Sequence, residues 1–160
     1  MKIRPIASCD LPDVLRIQQE SALNSGWHED DYRRLIEAPG GLILVAYEDS
    51  PGPIAGFVAA NLILGHAELL SMAVAPEMRR RGIGKNLLLE ACRYMRDTGA
   101  LSISLEVRAS NLSAIGLYHS VGFAACRTRK DYYSNPLEDA CAMALSLTGA
   151  APVENEYKPG

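Results

Sequence analysis

Residues 73–91 read AVAPEMRRRGIGKNLLLEA, and the stretch changes character twice. An apolar run ends at Pro76. Three cations follow, Arg79, Arg80 and Arg81, then Gly82, Gly84 and Lys85, then a leucine-rich segment. Leu88, Ala91, Cys92 and Met95 recur at helical spacing, and Gly99 after Thr98 is a stop signal. The stretch therefore predicts a strand, a basic glycine turn and a helix starting near Gly82 or Gly84. That junction has the physics of an anion seat. Glycines let backbone N–H groups approach a ligand, and a helix N-terminus carries about half a positive charge. A basic surface loop with glycines for turn geometry fits the same letters. Two phosphate motifs fail. The Walker pattern would need glycine at Arg79 and a hydroxyl at Asn86, and the dinucleotide fingerprint would need glycine at Leu87.

Upstream, LILVAYE (42–48), IAGFVAANLI (54–63) and AELLSMAVA (67–75) are apolar runs parted by SPGP and by Gly65-His66. They predict an antiparallel meander. KIRPIA reads as a first strand. Asp10 is placed to cap a helix with Pro12 in its first turn and Leu11, Val14, Leu15 and Ile17 as its stripe. A second helix is expected over 29–37, ended by APGG. Downstream, LSISLEVR alternates, with Leu101, Ile103, Leu105 and Val107 on one face and Ser102, Ser104, Glu106 and Arg108 on the other. A short helix follows, with Ala114, Leu117 and Val121 facing inward and Gly122 as its stop. FAACRT and EDACAMALSL read as two last strands joined by a polar loop, RKDYYSNPL. The order β, α, α, three strands, α, β, α, two strands is a mixed α/β domain. It is expected to occupy residues 1–148, with 149–160 a tail without fixed structure.

Composition narrows the function classes. The chain has 160 residues, 48% of them apolar, and a net charge of −3. That balance argues against a general nucleic-acid binder. Cys9, Cys92, Cys126 and Cys141 form no C-x-x-C pair, and the histidines stand at no ligand spacing to them, so no metal site is expected. The cysteines read as reduced thiols. No apolar signal region opens the chain and no run of about 18 apolar residues occurs. A cytoplasmic protein without a membrane role is expected.

The downstream segments add to the glycine turn. LEVRASN, AIGLYHSVGF, RKDYY and EDACAMAL occur in an order that resembles the GNAT superfamily of acetyl-CoA-dependent N-acetyltransferases. They are closest to its bacterial ribosomal-protein alanine N-acetyltransferase branch. The resemblance runs from CDLPDV to MALSL. It implies a GNAT fold, with a mostly antiparallel sheet of about seven strands, splayed at the coenzyme site and flanked by about four helices. In the family, Q/R-x-x-G-x-G/A binds the CoA pyrophosphate, and Arg79, Gly82 and Gly84 match it. Arg80, Arg81, Ile83 and Lys85 would complete that seat, although Lys85 also reads as a solvated helix residue. Backbone groups at Met72, Ala73 and Val74 would pair with the pantetheine arm and polarise the acetyl carbonyl.

The resemblance gives Glu106 the general-base role, through water, and Tyr118 the role of acid toward the CoA thiolate. Without it, Glu106 reads as an exposed strand residue and Tyr118 as helix packing. Asn111 caps the short helix or contacts CoA. Trp27 resembles a tryptophan between the first two helices that borders the acceptor, and it reads equally as a packing anchor. Tyr132 and Tyr133 would border an N-terminal peptide. The implied acceptor is a protein N-terminus, of a ribosomal protein in that branch. Lysine side chains or small amines are the alternative, and a non-catalytic CoA-binding protein a third. The chain departs from the branch at His28, where serine is usual. It departs again after Tyr133, where the loop is shorter and lacks a proline directly after the tyrosines. Both places bear on the choice of acceptor.

Overall fold

The computed structural model describes residues 1–21, 26–49 and 51–149. The expectation for the tail thus lies outside the described residues, save Gly149. The elements are β1 (Lys2–Pro5), α1 (Leu11–Glu20), α2 (Glu29–Glu37), β2 (Gly41–Tyr47), β3 (Ile54–Ile63), β4 (His66–Val74), α3 (Ile83–Asp97), β5 (Ser102–Arg108), α4 (Leu112–Val121), β6 (Ala124–Tyr133) and β7 (Glu138–Ser146). Short 3-10 turns precede α1 and α3. The strands form one seven-stranded sheet in the order β1-β2-β3-β4-β5-β7-β6. Every neighbouring pair is antiparallel except β4 with β5.

Two apolar layers sandwich the sheet. On one face, α3 buries Ile83, Leu87, Leu88, Ala91, Cys92 and Met95 against Leu44, Val58, Ile103, Leu105 and Met143. Each large side chain taken from water stabilises the fold by about 1.5–3 kcal/mol. On the other face, Leu11, Val14 and Ile17 of α1 and Tyr32 and Leu35 of α2 cover Ile43, Val45 and Phe57. These helices lie over the β1–β4 half, so Ser104, Glu106 and Arg108 of β5 remain only half-buried.

The parallel pair is short. Only His66–Glu68 pairs with Ser102–Ser104, while β4 keeps pairing with β3 to Val74 and β5 keeps pairing with β7 to Arg108. The sheet therefore parts between Leu69–Val74 and Leu105–Arg108. Its closed end is pinned by the His66 ring, whose Nδ1 and Nε2 lie 2.7 and 2.9 Å from the hydroxyls of Ser102 and Ser104. A bulge adds an extra residue, Leu70, between the pairs Ala60–Leu69 and Ala59–Ser71. It bends β4 where the sheet opens.

Three local expectations change. Asp10 does not cap α1. Its carboxylate accepts from the Ala7 N–H at 2.7 Å and pairs with Arg4 at 2.6 Å, tying the start of α1 to β1. Leu101 precedes β5 and is exposed, so the buried face of that strand is Ile103, Leu105 and Val107. The first half of the polar string after FAACRT is strand, not loop: β6 runs on to Tyr133 through irregularities at 125–127 and 129–133, and only 134–137 forms the turn to β7. Such irregularities, with Arg127, Arg129 and Lys130, blunt this edge of the sheet against pairing with other chains.

Candidate active site

The parted strands open into two adjoining cavities. One, of about 450 Å³, is lined by Glu106, Arg108, Tyr118, Trp27, Tyr132 and Tyr133, with Gln18 and Ser71 at its back. The other, of about 830 Å³, is lined by Val74, Arg79, Arg80, residues 82–85 and the first turns of α4. Ser21, Met72, Ala73 and Asn111 line both, so they form one continuous groove.

The larger cavity brings basic side chains to an uncapped helix start. Gly82 is the N-cap of α3 with φ of 79°, and no side chain caps that helix or places an acid in its first turn. The first amide N–H groups of a helix have no partner within it, so they and the helix field face the groove. Arg79 donates from Nε to the Val74 carbonyl at 3.1 Å, which fixes the end of β4. Arg80 sits at φ of 63° and lines the groove with Lys85, whereas Arg81 is exposed and outside the lining. The two glycines differ. Gly82 has a left-handed conformation that a side chain would strain. Gly84 does not: a Cβ there would stand 3.5 Å from Leu117 and 3.6 Å from Val74, ordinary contact distances.

The smaller cavity holds the titratable groups. Glu106 extends from β5 with its side chain 19% exposed, and Oε1 lies 3.4 Å from the Nε of Arg129. Tyr118 is the single buried residue of α4. Its ring packs on Phe123 at 5.8 Å, and its hydroxyl makes no hydrogen bond among the described residues. Burial, aided by the charge of Tyr133, pushes its phenol up to about 12. Burial also pushes Tyr133 up to about 12, followed by the negative fields of Tyr132 and Glu106 and opposed by Arg108. Tyr132 and Tyr133 meet edge to face at 5.0 Å. Asn111 does cap α4, accepting from the Ala114 N–H at 3.2 Å, while lining both cavities.

Trp27 serves both of its expected uses, packing on Tyr32 at 5.0 Å and lining the cavity. Its carbonyl accepts from the Gln18 amide at 2.6 Å. The Tyr32 hydroxyl donates to the other end of that amide and lies 3.2 Å from Ser71. This buried polar chain joins α1, α2 and β4 behind the cavity. Sequence reasoning missed it, because Gln18 and Ser71 carry no motif. It also missed Arg129, whose only signal was its place just before KDYY. Among the described residues, no group of three or more His, Cys, Asp or Glu is placed to hold a metal ion.

A parted sheet with an uncapped helix N-terminus at its mouth is the architecture that the resemblance implied. Residues 11–123 match the model of the "Acetyltransferase (GNAT) family". The chain belongs to the GNAT family. Within it, the chain is 33% identical over 148 residues to the [ribosomal protein bS18]-alanine N-acetyltransferase of Escherichia coli K12, covering 91% of this chain and 97% of that one. The enzyme of the same description from Salmonella typhimurium is 39% identical over 145 residues, covering 89% and 95%. The crystal structure of the ribosomal-protein-S18-alanine N-acetyltransferase from Escherichia coli superposes with a TM-score of 0.82 at 32% identity, covering 98% of this chain and 99% of that one. The seven-stranded sheet and four helices are thus a GNAT fold, and the protein is an N-acetyltransferase.

Proposed function

We propose that this acetyltransferase transfers acetyl from acetyl-CoA to the α-amino group of a protein N-terminus, with the N-terminal alanine of ribosomal protein bS18 as its acceptor. The observation that carries the reading is the meeting of Glu106 and Tyr118, from different elements, in one cavity that opens onto the anion seat. The names and full-length coverage of the Escherichia coli and Salmonella relatives support the acceptor.

The donor fits the larger cavity. Its pyrophosphate matches the free N–H groups of residues 82–85 with Arg79, Arg80 and Lys85 beside them, and Arg81 adds charge from outside. Met72, Ala73 and Val74 offer backbone to the pantetheine arm where β4 has left β5, and an N–H there polarises the thioester carbonyl. An α-ammonium group has a pKa of about 8, so a carboxylate acting through water suffices to collect its proton. Glu106 is that base. The neutral nitrogen attacks the acetyl carbon, the C–S bond breaks, and the sulfur leaves with its electron pair. Tyr118, its phenol pKa raised by burial and so protonated at neutral pH, hydrogen-bonds that sulfur as it departs, and the second proton shed by the attacking nitrogen ends on the thiolate, leaving a neutral amide and the free thiol. Trp27, Tyr132 and Tyr133 wall the acceptor entrance. The chemistry needs no metal. No helix among the described residues is long and apolar enough to cross a membrane, and the proposed acceptor places the enzyme in the cytoplasm.

The test is a panel of short peptides with acetyl-CoA: free N-terminal Ala, Ser and Met, and an N-terminally blocked peptide with an internal lysine. The reading expects Ala or a similarly small first residue to be acetylated and the blocked peptide to be inert. Preferential acetylation of the blocked lysine peptide would overturn it.

A further inference from the structure

The turn that follows the two cavity tyrosines is not free at the surface. Arg108, the last residue of β5 and two beyond Glu106, donates from Nη1 to the Pro136 carbonyl at 2.9 Å and to Glu138 Oε1 at 3.3 Å. Its guanidinium carbon stands 4.4 Å over the centre of the Tyr133 ring. The other oxygen of Glu138 accepts from the Ser110 N–H at 2.7 Å. Two further links run beside this pair, one backbone to backbone, Ala109 N–H to the Asp139 carbonyl at 3.0 Å, and one to a side chain, Asp131 N–H to the Asp139 carboxylate at 2.9 Å. The side chains of Arg108 and Glu138 are 10% and 18% exposed, so water screens the pair little.

These contacts join places that matter separately. Tyr132 and Tyr133 wall the smaller cavity. Ser110 adjoins Asn111, which lines both cavities and opens α4. One arginine thus holds the ring of the tyrosine wall and the turn behind it, and one carboxylate holds that turn to the start of α4. Glu106 and Tyr118 take part in none of these bonds. A planar guanidinium is suited to this task, since it donates along its edge while its face lies on an aromatic ring.

We propose that Arg108 and Glu138 are positioning residues for the acceptor: they lock Tyr133, on whose ring Tyr132 packs edge to face, into the wall against which the acceptor peptide docks, and leave the chemical step to Glu106 and Tyr118. The inference rests on the acceptor entering between Trp27 and these tyrosines. Loss of Arg108 frees the Tyr133 ring and the 134–137 turn, so acceptor binding weakens while turnover of bound acceptor persists. A pair that served stability alone would lower the melting temperature without changing acceptor KM relative to kcat.

The experiment measures kcat, acceptor KM, acetyl-CoA KM and melting temperature for Arg108→Met, Arg108→Lys, Glu138→Gln and the Arg108→Met/Glu138→Gln double variant. The acceptor is whichever amine the wild-type enzyme acetylates in the panel above. A lysine preference there overturns the N-terminal reading and leaves this test intact. Arg108→Met is expected to raise acceptor KM about ten-fold, as its hydrogen bonds to Pro136 and Glu138 and its contact with the Tyr133 ring are lost together, with kcat within about three-fold and acetyl-CoA KM unchanged. Arg108→Lys, which restores the charge, recovers part of that loss. The double variant is no worse than the poorer single one, because the two side chains act as a unit. Unchanged acceptor KM, equal loss of kcat and both KM values, or multiplied effects in the double variant would overturn the proposal. Should Arg108→Met fail to fold, Arg108→Lys and Glu138→Gln carry the same comparison.

Discussion

Replacing Tyr118 by phenylalanine separates chemistry from folding. The hydroxyl makes no hydrogen bond among the described residues, so its removal orphans no buried partner, and the ring keeps its packing on Phe123. The stability change should lie within about 0.5 kcal/mol, the range of a substitution that breaks no network. The rate should not be spared. The phenol stands at about 12, against ~8.5 for a thiol, a gap of ~3.5 pH units or ~5 kcal/mol against complete proton transfer. Tyr118 therefore acts mainly as a hydrogen-bond donor to the departing sulfur, and a loss of about 10²-fold in kcat is expected, the lower end for an acid–base group. The phenol stays protonated below its raised pKa, so the wild-type to variant ratio should hold constant from about pH 6 to 10. Steady-state release of free thiol, followed across that range beside thermal melting, provides the assay. Turnover of the variant within three-fold of wild type would refute the role. So would a ratio that collapses near neutral pH, because a proton donor titrating there is not this phenol.

Further outcomes follow from the same geometry. Glu106→Gln should lower kcat about 10²-fold with acetyl-CoA binding retained, measured by calorimetry, since the carboxylate lies in the acceptor cavity and outside the anion seat. Gly82→Ala should cost about 1 kcal/mol of stability, because φ of 79° is unfavourable for alanine, whereas Gly84→Ala should keep its stability but weaken acetyl-CoA binding, because its methyl would stand among the groove-lining Leu117 and Val74. Hydrogen bonding from Arg4 holds the Asp10 carboxyl below its ordinary range, against the opposing effect of burial. A carboxyl lowered in the folded state stabilises above its unfolded pKa of about 3.9 and loses that contribution as pH falls through the folded value. Arg4→Met should therefore be less stable than wild type at pH 7, and the gap in melting temperature should close below about pH 4.

Much of this molecule was legible in its letters. Regular alternation and heptad-like spacing gave β5 and α3 because each buries one face against a single layer, so the period survives in the sequence. The 29–37 helix was marked by its APGG stop. The end of β6 was not. Arg127, Thr128, Lys130, Asp131 and Tyr132 are exposed on an edge strand with irregular register, so no apolar period marks them as strand. Asp10 misled for a related reason. Carboxylates before a helix usually cap it, but an arginine six residues upstream competes for the same oxygens, and that contact is tertiary. Within the cleft, Glu106 and Tyr118 were singled out by the resemblance of LEVRASN and LYHSVGF, and both line one cavity. Arg129, Gln18 and Ser71 were missed because their roles exist only once separate elements meet.

The central claim is that this cleft delivers acetyl to an N-terminal α-amine. The most direct measurement incubates the enzyme with acetyl-CoA and intact, unacetylated ribosomal protein bS18, and locates the modification by tandem mass spectrometry. The account predicts a single acetyl group on the N-terminal alanine, absent when Glu106→Gln and Tyr118→Phe are combined. Acetyl groups on lysine side chains with a free N-terminal alanine would contradict it.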